Sequence, residues 1–210
     1  MEVAATVERT AQVRRGLQLE YLTLGYNSLE AVIAILAGLI AGSIALVGFG
    51  ADSVIEVVSG LSLVWRLRSD ANVARRARAE AISLRIVGVC FAALAGYVAW
   101  DAAVALVRRE TPEESVPGII LAAASIVIMP LLARAKRRVA GHIASAALTA
   151  DARQTQLCAY LSAILLGGLL LNALFGWWWA DPVAALAMVP IIGKEGADAL
   201  RGKTCCASCH

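Results

Sequence analysis

From Leu22 to Trp65 the chain is apolar almost without a break. A helix of that length, rising 1.5 Å per residue, would measure about 65 Å, twice a hydrocarbon layer of roughly 30 Å. The stretch must fold back on itself. Gly42-Ser43 is the natural hinge, which predicts one helix near 21–42 and a second near 44–66. Further apolar runs predict a third helix from about Ala81 to Leu106, a fourth from Pro117 to Ala133, a fifth from Ile143 to Leu171 and a sixth from Pro182 to Leu200. Composition agrees with a chain that lives in lipid: 60% of residues are apolar, 17% are charged and the mean hydropathy is +0.72. The expected fold is an all-α polytopic membrane protein with six transmembrane helices.

Basic residues set the orientation, because short loops rich in Lys and Arg stay in the cytoplasm. Arg66, Arg68, Arg75, Arg76 and Arg78 fall between helices two and three, and Arg134, Lys136, Arg137 and Arg138 between helices four and five. On the opposite side Arg108 and Arg109 are offset by Glu110, Glu113 and Glu114, and the last connection is the aromatic run at Trp177, Trp178 and Trp179, suited to a headgroup belt. Both termini are then expected in the cytoplasm, with a segment at 1–20, a membrane domain at 21–200 and a short tail at 201–210. The first 15 residues carry no compact apolar region of the kind a removable signal needs. The net charge of +3 is absorbed by this topology, with added contact to anionic lipid open to the basic loops, and implies no nucleic acid partner.

Against that background the buried polar groups stand out. Asp52 and Glu56 lie about 12 and 18 Å below the outer end of the second helix, stacked on one face by their i, i+4 spacing. Two carboxylates so placed repel unless a cation or proton neutralises one of them, and a carboxylate in hydrocarbon is costly to keep. Gln154 and Cys158 repeat the spacing on the fifth helix, roughly 16 and 22 Å from its inner end. In antiparallel register Cys158 falls near the level of Asp52, and Gln154 near that of Glu56. Four such side chains could converge near the midplane, where alternating-access carriers hold their substrate. Carboxylate oxygens, an amide oxygen and a thiolate suit tetrahedral zinc and softer ions such as cadmium better than magnesium or calcium. The plainer alternatives are ion pairing for the carboxylates, packing for Cys158 and a helix-to-helix hydrogen bond for Gln154.

The runs GSIALVGFGADSVIEVVSG at 42–60, TADARQTQLC at 149–158 and WADPVAALA at 179–187 resemble the cation diffusion facilitator family of six-helix metal exporters. The resemblance places Asp52 and Glu56 on the ligand pair of the second helix, with Glu in place of the usual Asp. It places Gln154 where the family usually has His, and Cys158 where it usually has Asp. Ala150-Asp151 matches the pair one turn earlier, and Asp181-Pro182 the start of the sixth helix. Losing the His removes a strong zinc ligand and a proton carrier near neutral pH, and gaining the Cys softens the site. The resemblance implies export of a divalent cation, zinc first, in exchange for protons, without a bound cofactor, from a bacterial inner membrane and as a homodimer. About ten residues follow the sixth helix, so the family's usual cytoplasmic domain is expected to be absent.

Other charged groups have less determined roles. Glu30, level with Glu56, reads first as a partner for Arg153, and otherwise as a further ligand or proton carrier. Asp151 could guide ions, cap its helix or pair with Arg. Asp101 reads as an interfacial acid and Cys90 as packing, while Gly38, Gly42, Gly48, Gly50 and Gly60 read as close-packing points between helices. Cys205, Cys206, Cys209 and His210 crowd the tail and could capture or sense a soft metal in the reducing cytoplasm. A membrane sensor or resistance accessory acting through that tail is the competing reading. No nucleotide-binding pattern and no nucleophile paired with a base argue for an enzyme.

Overall fold

The structure, a computed structural model, describes residues 2–68, 73–110, 112–143 and 146–201. They form six helices: α1 (Glu2–Ala41), α2 (Ile44–Arg68), α3 (Val73–Arg108), α4 (Val116–Ile143), α5 (Ala146–Phe175) and α6 (Ala180–Leu200). Five contain segments long and apolar enough to cross a membrane: Ala11–Ala41, Ile44–Trp65, Gly88–Arg108, Val116–Ile143 and Asp151–Phe175. The sixth, α6, has 21 residues and the length to cross, but carries Asp181, Lys194, Glu195 and Asp198. It packs against α2, α3 and α5 instead of facing lipid all round. Large apolar side chains point outward along the bundle, among them Leu29, Val32, Leu36 and Ile40 on α1 and Ile120, Val127 and Leu131 on α4. Such a surface suits a lipid solvent, in which every backbone polar group must be bonded within its own helix.

Three helices are longer than their apolar spans suggest, and α3, which starts at Val73 and not near Ala81, takes in Arg75, Arg76 and Arg78. The first helix reaches back to Glu2, well before the expected start near residue 21, and α4 continues to Ile143, ten residues past the expected Ala133. Helical hydrogen bonding does not stop at the hydrocarbon boundary, and the basic residues beyond Ala133 are good helix formers. Arg134, Lys136, Arg137 and Arg138 therefore belong to α4, and not to a loop.

The hinge lies at Gly42-Ser43. Gly42 adopts φ of +65°, a left-handed conformation that glycine takes without strain, so its role is conformational and not packing. Gly38, Gly48, Gly50 and Gly60 do meet neighbouring helices. A Cβ at Gly50 would lie 2.8 Å from Ile35 Cγ1 and 3.0 Å from the Ile35 backbone nitrogen. This proximity lets α1 and α2 pack backbone to backbone, as small residues do between membrane helices. At the outer end α2 is capped from elsewhere in the chain. Asp181 in the first turn of α6 accepts hydrogen bonds from Ser43 Oγ at 2.5 Å, the Ile44 N–H at 2.9 Å and the Ala45 N–H at 3.4 Å. The carboxylate satisfies N–H groups that a helix start leaves without partners.

At the inner end the bundle is tied by a buried cation. Lys136 is fully buried, which overturns its expected place in a basic cytoplasmic connection between helices four and five. Its ammonium donates to Asp151 Oδ2 of α5 at 2.5 Å and to Thr155 Oγ1 at 3.4 Å. It also lies 3.0 Å from Glu20 Oε1 of α1, an ion pair without hydrogen-bond alignment. Removing one member of a buried pair leaves an uncompensated charge, which costs about 3–5 kcal/mol. Lys136→Met should lower stability by about that amount in detergent denaturation. Adding Glu20→Gln and Asp151→Asn to it should recover most of the loss.

Candidate metal site

The deepest polar groups of α1, α2, α4 and α5 meet between the outer Asp181 cap and the inner Lys136 cluster. The α2 helix brings Asp52, Ser53, Glu56 and Ser59 to its inward faces. It packs against α1, α3, α5 and α6, which places those side chains at the centre of the bundle. Glu30 of α1 is fully buried and gathers three donors: Ser53 Oγ at 2.9 Å, Ser125 Oγ of α4, and Cys158 Sγ of α5 at 3.8 Å. Tyr26 OH and Ser125 Oγ, 2.8 Å apart, extend this network toward the surface. Glu56 Oε2 accepts a hydrogen bond from Asn27 Nδ2 at 2.7 Å. Gln154 Oε1 accepts from Ser59 Oγ at 3.2 Å, one turn beyond Glu56 on α2.

Asp52 is buried at 4% exposure and has no hydrogen-bond partner among the described residues. Its carboxylate lies within electrostatic reach of Glu30, and Cys158 within reach of Glu56, Glu30 and Asp52. Two polar atoms beside these acids are buried and unpartnered, Asn27 Oδ1 and Gln154 Nε2. Each belongs to an amide whose other end is bonded, to Glu56 and Ser59 respectively. Among the described residues no three His, Cys, Asp or Glu side chains stand in an arrangement that could hold a metal ion. Glu30 and Glu56 instead rest on neutral hydroxyl, amide and thiol donors, which satisfy them at the depth where leaving them bare would be costly.

Several expectations need correction against this geometry. Glu30 does not pair with Arg153, whose side chain is exposed; Ser53, Ser125 and Cys158 satisfy it instead. Asp151 pairs with Lys136 and not with an arginine. Cys90 is exposed and contributes nothing to the core. Asp101 accepts a hydrogen bond from Tyr97 OH at 3.2 Å near the outer end of α3. Cys205, Cys206, Cys209 and His210 lie outside the described residues. Sequence reasoning missed Asn27, whose i+3 relation to Glu30 on the inward face of α1 was the available signal. It also missed Glu195 of α6, which lies within electrostatic reach of Asp52.

The sequence matches the cation efflux transmembrane domain over residues 21–202. The chain belongs to the cation efflux family. No curated protein matches it. This cation efflux protein is an integral membrane transporter of metal cations. Its matched region contains all six helices apart from the first part of α1, together with the polar centre just described.

The Asn27–Glu56 bond gives a direct check of how that centre is held. Asn27→Leu should destabilise the protein by about 1–3 kcal/mol in detergent denaturation, the cost of a buried acid left without its donor. Ser59→Ala, which removes a weaker neutral contact, should cost about 1 kcal/mol or less.

Proposed function

We propose that this cation efflux protein exports a divalent metal ion of zinc or cadmium type from the cytoplasm, in exchange for protons, through a site formed by Asp52, Glu56, Gln154 and Cys158. The observation that carries this reading is that a thiol, three carboxylates and two half-bonded amides line adjoining turns of α1, α2 and α5 in the core of the bundle, where an ion would draw them into a ligand set. Asp52 supplies a buried oxygen donor with no hydrogen bond to break among the described residues. Glu56 would exchange its Asn27 bond for the ion, and Gln154 its Ser59 bond. Cys158 contributes the soft donor once its proton has left, which favours zinc and cadmium over magnesium.

Proton competition follows from the same donors. Carboxylates and a thiol bind metal only when deprotonated, so metal loading releases protons and proton binding expels metal. Alternating access requires α1, α4 and α5 to separate at the inner end, parting Lys136 from Glu20 or Asp151 and opening the site to the cytoplasm. Glu30, held by Ser53, Ser125 and Cys158, keeps the thiol oriented toward the centre. The bacterial inner membrane and a homodimer through the membrane helices complete the proposal. The tail cysteines, Cys205, Cys206 and Cys209, with His210, would collect metal on the cytoplasmic side.

Uptake into proteoliposomes tests it with zinc, cadmium, cobalt and manganese. Saturable flux of zinc or cadmium is expected, with Asp52→Ala reducing it by more than about tenfold, a loss of 1.4 kcal/mol or more in binding. Cys158→Asp should shift preference from cadmium toward manganese. Flux should rise as pH increases on the metal-loading side, because the ligands are free of protons there. Absence of flux for every ion, with tight binding abolished by truncating residues 205–210, would favour a sensor acting through the tail.

A further inference from the structure

The exposed face of α4 changes character along its length. Ile120, Val127 and Leu131 are apolar and 58–65% exposed, and the same face then turns basic at Arg134 and Arg138. Counted from Val116 at the outer end, Arg134 lies about 27 Å and Arg138 about 33 Å along the helix, where a hydrocarbon layer of roughly 30 Å gives way to headgroups. Here α4 and α5 leave an open cavity of about 510 Å³ lined by Arg134, Arg137, Arg138, Gln156 and Tyr160. The three arginines follow the i, i+3, i+4 pattern that brings them to one side of a helix.

The cavity is partly organised. Arg137 donates from its Nη2 to Gln156 Oε1 at 2.8 Å and from Nε to the Ala133 carbonyl at 3.4 Å, which holds its guanidinium over the cleft. Among the described residues no carboxylate pairs with Arg134, Arg137 or Arg138. Lys136 on the opposite face makes the contrast, since Glu20 and Asp151 neutralise it. Three guanidiniums and a tyrosine rim an open cleft to which no carboxylate among the described residues supplies a counter-anion. Guanidinium is suited to a phosphate oxygen pair, and basic clefts between membrane helices on the cytoplasmic side take anionic headgroups.

We propose that the cleft between α4 and α5 binds the phosphate of an anionic phospholipid, with Arg134, Arg137 and Arg138 holding the headgroup and the apolar face at Leu131 and Val127 lying against its acyl chain. The chemistry of recognition is that of any phosphate monoanion or diester. The apolar stripe continuous with the arginines selects the lipid over free phosphate. The bound headgroup supplies the charge that α4 lacks, opposite the face on which Lys136 ties α4 to α1 and α5.

Native mass spectrometry of the full chain tests this, with phosphatidylglycerol and phosphatidylcholine of the same acyl chains offered together, and with inorganic phosphate in a separate arm. Phosphatidylglycerol should be retained over phosphatidylcholine by about fivefold for each arginine engaged. Substituting Arg134→Gln, Arg137→Gln and Arg138→Gln together should erase the preference, and the pair Arg134→Gln with Arg138→Gln, which keeps the Arg137–Gln156 bond, should reduce it. Arg108→Gln with Arg109→Gln at the outer end should leave it intact. Equal retention of the two lipids by the unaltered chain would overturn the proposal, as would a preference that survives the triple substitution. Loss of the preference in the outer pair to the same extent would also overturn it. Displacement of the lipid by inorganic phosphate at equal concentration would overturn the choice of lipid as ligand.

Discussion

An ionisable side chain surrounded by hydrocarbon must face the interior of the bundle and find a partner there, and this constraint organises the whole protein. Its buried charges are arranged in three levels. The outermost is Asp181, which caps α2 across from α6. In the middle, Glu30 and Glu56 rest on hydroxyl, amide and thiol donors from four helices, beside the unbonded Asp52. At the inner end Lys136 joins Glu20 and Asp151, and there, among the described residues, a buried cation of the protein itself meets the acids. Each level ties helices that are distant in sequence, so the polar groups fix the register of a bundle whose apolar faces alone would slide.

The three levels differ in what their partners permit. The inner ammonium is covalently tethered and the outer cap is made of fixed backbone N–H groups, so both serve structure. The middle level is held only by neutral donors, and two of its amides use half of their bonding capacity. That is the composition expected of a place where a mobile cation can substitute for hydrogen bonds at small net cost, since weak neutral bonds are exchanged for stronger ligation. Membership of the cation efflux family gives this arrangement its context. Lys136 lies below the central acids and is already neutralised by Glu20 and Asp151, so its charge would not oppose a cation bound among them.

Much of the architecture was legible in the sequence because the bilayer imposes a simple rule on length and apolarity. The fold-back at Gly42 followed from a run too long for one crossing, and the inward-facing acids from their i, i+4 spacing. The ends of α1, α3 and α4 were not legible, since a helix continues past the membrane surface without any change of its own hydrogen bonding. Lys136 was misread for a related reason. Counting basic residues near span ends cannot separate one that snorkels outward, as Arg134 and Arg138 do, from one whose carboxylate partners lie on α1 and α5. Asn27 escaped notice because a neutral amide carries no charge cost by itself. Its importance is visible only once Glu56 is placed 2.7 Å away.

The central claim is that the metal is bound inside the bundle by one sulfur and a set of oxygens. X-ray absorption at the zinc edge would test it directly, on the zinc-loaded chain in which Cys205, Cys206 and Cys209 are replaced by serine. The account predicts a mixed shell with one Zn–S distance near ~2.3 Å, lost when Cys158→Ser is added while the oxygen shell remains. A shell without sulfur, or one unchanged by Cys158→Ser, would contradict it.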